Sequence, residues 1–482
     1  MKRLSSFFMA FLFFFVYSDF VYSQTQSGAF TVTGSGYSTA VVTDYQCVGI
    51  NPANLGWKRN DNLMNLGFGE TELSVYSEPL KRQLVNELFD ANKVFTDEER
   101  QQAVLNFTDT KLQFEGNIGG IGISFQDEKI GGFGFTVKER LMWDSNLNKE
   151  SSDILFNGYD AAYFDTVYYN EETGEHTGVA FDPIKASELL EGTSLQMMWF
   201  REYNFSYGRT IIEKDNFTIY GGVGFKYLQG YSYFNYSYKD GQFLATSALN
   251  PSLNVDYDEP SPSKIENNDY QKIGQGFGFD VGLSALLYQK LRVAISLTDI
   301  GSITWDGNVY TGEDADIVDI KSPGIDNYNI FALDDNAAFN NLKYGGWQGL
   351  EDKTIKLPMS MRTGAAYMLN DIFEFGTEFY IPMNKLPGSY EKLIFGVGTR
   401  IMPTKWFRGS IGVVSGGATG TGIPIGLSLF PFNNKNFTWE LGVAVRDITT
   451  YFSQENPTVS IAMGVMRFSF GSLDRPTTDS EN

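Results

Sequence analysis

Phe437-Thr438-Trp439-Glu440-Leu441-Gly442-Val443-Ala444-Val445-Arg446 is the stretch on which the reading of this chain turns. Successive side chains of an extended strand point to opposite faces. Phe437, Trp439, Leu441, Val443 and Val445 therefore share one face, and Thr438, Glu440, Ala444 and Arg446 share the other. The pattern recurs along the chain. Phe217, Ile219, Val223, Phe225 and Tyr227 oppose Tyr220, Gly222, Gly224 and Lys226; Phe373, Phe375, Phe379 and Ile381 oppose Glu374, Glu378 and Tyr380. Phe133, Phe135, Val137, Leu141 and Trp143 oppose Thr136, Lys138 and Arg140. A soluble β-sandwich also alternates, but many of these strands exceed the roughly five or six residues usual in soluble sheets. Charge on the less apolar face, strand after strand, suits a wet lumen better than a sandwich core.

About fourteen such segments can be marked out, an even number that puts both chain ends on one side of a barrel. They lie near 63–76, 110–125, 130–143, 197–211, 216–235, 273–288, 291–305, 357–369, 372–383, 391–402, 405–414, 422–431, 436–447 and 457–470. Tight turns are expected at Gln126–Lys129, Ile212–Asp215, Gln289-Lys290, Asn370-Asp371, Pro403-Thr404 and Pro431–Lys435. Between them fall long connections at 77–109, 144–196, 236–272 and 306–356, then three shorter ones. Short turns alternating with long loops are the signature of an outer-membrane barrel. The fold class expected is all-β: a transmembrane antiparallel β-barrel.

The N-terminus supplies the address. Met1-Lys2-Arg3, the apolar run Phe7–Val16 and Val21-Tyr22-Ser23 before Gln24 read as an export signal occupying 1–23. After it, no apolar run reaches the ~20 residues that a transmembrane helix needs. The chain holds 50 glycines and 15% aromatics, and its net charge of −21 leaves no basic face for a nucleic acid. Cys47 is the single cysteine, so no internal disulfide forms; it reads as a small buried hydrophobe.

Between the signal and the first strand, a Gly/Ser/Thr-rich lead-in (Gly28 to Thr43) runs into Asp44-Tyr45-Gln46-Cys47-Val48-Gly49-Ile50-Asn51-Pro52-Ala53-Asn54-Leu55-Gly56-Trp57. Pro52 fixes its own φ and biases Asn51 away from helix, while Asn54 and Gly56 tolerate left-handed dihedrals. By itself this fits an ordinary turn ahead of a strand. Together with the export signal, Ser38-Thr39-Ala40, Gly49-Ile50-Asn51-Pro52-Ala53 and the strand count, the chain resembles the FadL-type outer-membrane transporters of fatty acids and other hydrophobic compounds. The strand end Leu297-Thr298-Asp299-Ile300-Gly301-Ser302-Ile303-Thr304-Trp305 resembles the family less specifically. The resemblance implies a hatch inside the barrel at 24–62, a wall at 63–470 and a polar tail at 471–482. It makes Phe30, Val32, Tyr37, Asp44, Asn51, Pro52 and Ala53 the hatch and ligand residues.

Two features depart from that family. The tail extends past Phe468-Ser469-Phe470, where such barrels end on an aromatic. Val459, Ile461, Met463 and Val465 also alternate out of phase with Phe468 and Phe470, which calls for a bulge or an apolar lumen face. In the first long loop, Leu80, Leu84, Val85, Leu88 and Phe89 have helical spacing, and Thr96-Asp97-Glu98-Glu99 is a capping box opening a second helix. Both read as a cap over the mouth or a docking helix.

Chemistry-bearing clusters are scarce. His176 is the single histidine and lies in a polar stretch, so no Ser-His-Asp arrangement is expected. One Cys and one His cannot assemble a transition-metal site. The acidic loop 306–356 matches no calcium-loop spacing, and the Gly clusters at 119–122, 131–134 and 416–420 read as strand bends and a loop tip, not phosphate loops. Glu374 and Glu378 lie two pleat repeats apart, roughly 13 Å at strand rise, and read as lumen polar groups. No enzyme and no cofactor are expected. The functional expectation is passive uptake of long-chain fatty acids or other hydrophobic molecules in the cell outer membrane, with lipid and a hydrophobic ligand as partners. The alternative is a non-transport scaffold or shuttle barrel of a secretion or surface-assembly complex, PorV-like within the same family, with a protein partner.

Overall fold

The computed structural model describes residues 29–57, 63–80, 94–127, 129–239, 242–253, 255, 257, 259–328, 346–384, 386, 392–417, 420–434, 436–453 and 455–471. Fourteen strands form a closed antiparallel barrel. They are β1 (Met64–Phe68, resuming as Thr71–Ser77), β2 (Lys111–Asp127), β3 (Gly131–Asn146), β4 (Ser194–Lys214) and β5 (Phe217–Lys239). There follow β6 (Gly274–Leu287), β7 (Leu291–Trp305), β8 (Lys353–Lys356, resuming as Ser360–Met368), β9 (Phe373–Pro382) and β10 (Ile394–Thr404). The last four are β11 (Phe407–Gly416), β12 (Gly420–Gly422, resuming as Ile425–Asn433), β13 (Phe437–Val445) and β14 (Thr458–Phe470). Each pairs with its neighbour in sequence. Closure comes from β1 on β14, with Met64 opposite Phe470 and Leu66 opposite Phe468.

The outward faces are those that alternation assigns. Phe133, Phe205, Phe225, Phe277, Phe279, Phe375, Phe379, Leu427 and Val443 are each between 40% and 55% exposed. A continuous belt of that composition is stable against hydrocarbon and costly in water. Towards the short-turn end, Tyr288 (73%) and Trp406 (60%) stand out, as interfacial aromatics do. The phase conflict in β14 resolves as a bulge: Glu440 pairs with Arg467 but Gly442 with Gly464, leaving Val465 and Met466 both turned outward.

One turn differs from expectation. Pro403 and Thr404 remain in β10, and the chain reverses at Lys405-Trp406. The register shifts between Ile401 and Thr404, so Pro403 sits at an irregularity, where its missing N–H costs no ladder bond. β4 and β5 are also longer than alternation suggested, at 21 and 23 residues. They carry the wall beyond the apolar belt into the loop layer.

That layer is a folded cap. Leu80, Phe95, Phe107, Phe156, Tyr236, Tyr257, Tyr328 and Trp347 share one apolar core. The Thr96 capping box is present: Glu99 N–H donates to Thr96 Oγ1 at 3.2 Å and Thr96 N–H to Glu99 Oε2 at 2.9 Å, opening the helix Asp97–Phe107. Leu84, Val85, Leu88 and Phe89 lie outside the described residues. A three-stranded sheet (Thr166–Tyr169, His176–Val179, Asp319–Ile320) lies apart from the wall. His176 is there, stacked on Tyr159 with ring centres 5.1 Å apart, and is exposed. Among the described residues no helix is long and apolar enough to cross a membrane, which says nothing of crossing by strands.

Candidate functional site

Residues 29–57 lie inside the barrel, buried at every position except Thr43 and Gly49, which are half-buried. Short elements carry this inner segment: α1 (Phe30–Thr33) and two single 3-10 turns, Asp44–Cys47 and Pro52–Gly56. Asn51 opens the last turn. Its Oδ1 accepts from Ala53 N–H at 3.1 Å, and Pro52 takes the first position, where no donor is needed. Asn51 Nδ2 then reaches Thr39 O (3.3 Å) and Leu283 O of β6 (3.4 Å), so one side chain ties turn, segment and wall together.

Glycines of the wall and of the inner segment make the room. A Cβ on Gly34 would stand 2.1 Å from Gly426 N of β12, and one on Gly222 of β5 would stand 2.3 Å from Pro52 C. No side chain fits at such backbone-to-backbone approaches. The Tyr45 ring likewise lies over Gly67 and Gly122, and Leu55 over Gly132 and Gly134. The glycine clusters at 119–122 and 131–134 thus act chiefly as clearance. The strand bend is present too, as a register shift between Gly119 and Ile121.

Carboxylates of the wall fasten the segment. Glu378 of β9 accepts from Thr39 N–H at 2.7 Å, from Ser38 Oγ at 3.0 Å and from Ser38 N–H, with Arg362 of β8 at 3.6 Å. Glu70, at the break in β1, accepts from Gln46 Nε2 at 3.0 Å and from Tyr45 OH. Asp44 pairs with Arg467 of β14 at 2.5 Å; Arg467 also holds Glu440, which accepts from Arg408 at 2.9 Å. Near the short-turn end, Trp57 Nε1 donates to Ser284 Oγ at 3.0 Å beneath the Arg292 guanidinium, 4.7 Å from its ring.

The expected hatch residues are all buried, but they play different parts. Phe30 wedges between Gly442, Gly464, Ala444 and Ala462. Val32 packs in the segment's own apolar core, and Tyr37 lies on Gly376 with its hydroxyl 3.4 Å from Glu374. Asp44 is an ion-pair partner; Asn51, Pro52 and Ala53 form the capped turn against β4 to β6. Cys47 is fully buried, with its thiol donating to Asp44 O at 3.0 Å.

Above Gly49, whose nearest neighbours are Glu202 and Asn204, five charged side chains meet at the centre of the lumen. Lys226 Nζ stands 3.0 Å from Asp280 Oδ1 and 2.5 Å from Asp299 Oδ1; Arg140 Nη1 is 3.0 Å from Glu202 and 3.1 Å from Asp299. A bulge aims them. β6 and β7 slip register between Phe279 and Val281, Asp299 adopts φ 62°, and its N–H donates to Asp280 at 3.0 Å. Glu202, Asp280 and Asp299 went unremarked as lumen charges in the sequence; Glu202 and Asp280 sit on the inward phase of their strands, and Asp299 turns inward at the bulge. The expectation of a wet lumen face fails here: Lys226 and Glu440 are 1% exposed and Asp280 is 0%. The inner segment fills the space that solvent would occupy, and opposite charges pair at each site.

Directly above this cluster is an apolar layer of Met142, Met198, Phe200, Leu228, Tyr233, Ile303 and Trp305, all within the wall. Among the described residues, no group of three or more His, Cys, Asp or Glu could hold a metal ion. Glu374 meets Arg292 at 3.2 Å and Arg400 at 3.0 Å, so Glu374 and Glu378 serve separate partners.

A model of a protein family of unknown function, DUF5723, matches residues 58–434. The chain belongs to that family. The DUF5723 match begins directly after Trp57 and ends in the turn after β12. No curated protein matches the chain. Among solved structures, the toluene transporter TodX of Pseudomonas putida is 12% identical over 94% of this chain and 100% of its own, with a TM-score of 0.45. The toluene transporter TbuX of Ralstonia pickettii is 11% identical over 92% and 98%, TM-score 0.42. A FadL homologue of Pseudomonas aeruginosa is 9% identical over 94% and 97%, TM-score 0.39.

Proposed function

We propose that this DUF5723 member is an outer-membrane channel for passive entry of small hydrophobic molecules, fatty acids included, with residues 24–62 as its hatch. The observation that supports this reading is an inner segment fastened to the wall by hydrogen bonds and ion pairs beneath an apolar layer in the same lumen. Hydrophobic ligand would collect among Met142, Met198, Phe200 and Trp305, then pass as the segment bearing Phe30, Val32, Tyr37, Asp44, Asn51, Pro52 and Ala53 shifts. The loop side faces outward; residues 1–23 are removed on export, 63–470 form the wall and 471–482 a polar tail. Native mass spectrometry on the barrel extracted in mild detergent from its own membrane tests this. A co-purifying hydrophobe that is lost on deleting residues 24–50 supports the channel.

One observation favours a second reading, a scaffold barrel of a secretion or surface-assembly complex. The Arg140–Glu202–Lys226–Asp280–Asp299 cluster seals the lumen with dehydrated charge, which no apolar solute crosses without displacing it. A stoichiometric protein partner with no bound small molecule would sink the channel in favour of the scaffold.

A further inference from the structure

We propose that strand Thr166–Tyr169 in the cap is a docking edge for an extended, basic segment of another polypeptide. From the functional reading this takes nothing except that the loop side faces outward. Among the described residues this strand has a neighbour on one side alone, His176–Val179. Asn170 N–H donates to Glu175 O at 2.9 Å and sets the phase of the ladder. In an antiparallel pair, hydrogen-bonded and non-bonded positions alternate. Val167 and Tyr169 therefore turn their backbone N–H and C=O towards the open edge, where an added strand would bond.

Edges of this kind are normally blunted by shortness, lysine, proline or a bulge. Thr166–Tyr169 is short, at four residues, but Asp165-Thr166-Val167-Tyr168-Tyr169-Asn170 carries no lysine or proline, and Val167, Tyr168 and Tyr169 are 39%, 57% and 57% exposed. The edge is braced: His176 contacts Tyr159 on one side and Tyr169, at 4.8 Å, on the other. Charge chooses the occupant. Asp160, Asp165, Glu171, Glu172, Glu175, Asp182 and Asp319 are all exposed around the sheet, and Lys321 is already paired with Glu175 at 3.1 Å. A second copy would bring the same acids face to face, so self-pairing is disfavoured and a lysine- or arginine-bearing strand is favoured.

The test uses purified full-length protein in detergent and two short labelled peptides, one alternating lysine with valine and one glutamate with valine, read by fluorescence anisotropy. The lysine peptide should bind, weaken with salt, and lose about tenfold or more in affinity on Val167→Pro, which removes an edge donor without touching the paired side. Glu171→Lys with Glu172→Lys, which alters no backbone donor, should move the preference towards the glutamate peptide. Equal binding of both peptides, indifference to Val167→Pro, or displacement of the lysine peptide by a polysaccharide would overturn the proposal. Because the measurement is made in detergent, its outcome is independent of any lumen ligand and of which side faces outward.

Discussion

At the scale of single residues, the inner segment is held by acids that each serve several donors. Glu378 is the clearest, with three donors from Ser38 and Thr39 beside Arg362. Glu378→Ala should cost about 3–5 kcal/mol, because it removes the carboxylate beside the buried Arg362 and leaves two buried backbone donors without their acceptor; Glu378→Gln, which still offers an acceptor, should cost less. Heat-dependent gel migration gives the loss of stability, and proteolysis of residues 29–57 reports whether the segment loosens. Unchanged protection in Glu378→Ala would remove Glu378 from the fastening. Gly34→Val tests the clearance, since its Cβ would stand 2.1 Å from Gly426 N. The segment must then move, and single-channel conductance in planar bilayers should rise. Silence there would mean that the seal lies with the charged cluster above.

At the scale of elements, the 3-10 turn Pro52–Gly56 is pinned by its cap and by the wall. Asn51→Ala removes the cap, one bond to the segment and one to the wall; about 1 kcal/mol belongs to the cap. The expected result is a lower midpoint of thermal unfolding with the barrel still forming. The bulge between β6 and β7 is a second element with a purpose, since it turns Asp299 inward beside Asp280 and onto Lys226. Lys226→Met leaves three acids crowded at 0–4% exposure and should destabilise the barrel more than Asn51→Ala does. The reverse ranking, measured side by side by thermal unfolding, would mean that water enters the cluster.

For the whole molecule, a closed wall has no edge for water to open, so its stability should survive loss of the plug. Deleting residues 24–57 should yield a barrel that still migrates as folded, with raised conductance if the charged layer yields and unchanged conductance if that layer is the main seal. Single-channel recording separates the two. A deletion that fails to fold would instead make the inner segment part of the folding core.

Much of this was legible in the sequence because two-residue alternation is a local property, and one face meeting lipid leaves it unblurred. Strand number, the faces of Phe437–Val445 and Phe373–Pro382, and the Thr96 capping box all follow from neighbours in the chain. A bulge in β14 could be posed from its conflict of phase but not located. The rest needed partners far apart in sequence. That Glu378 fastens Ser38 and Thr39, that Gly222 clears Pro52, and that Glu202, Asp280 and Asp299 converge on Lys226 depends on rolling the sheet into a cylinder. Rolling also turned an expected wet lumen into buried ion pairs, because curvature brings distant strands within hydrogen-bonding reach around a filled interior. The sequence by itself determined which side chains face inward along the regular stretches of strand; the tertiary structure decided where bulges break that phase and what each side chain meets inside.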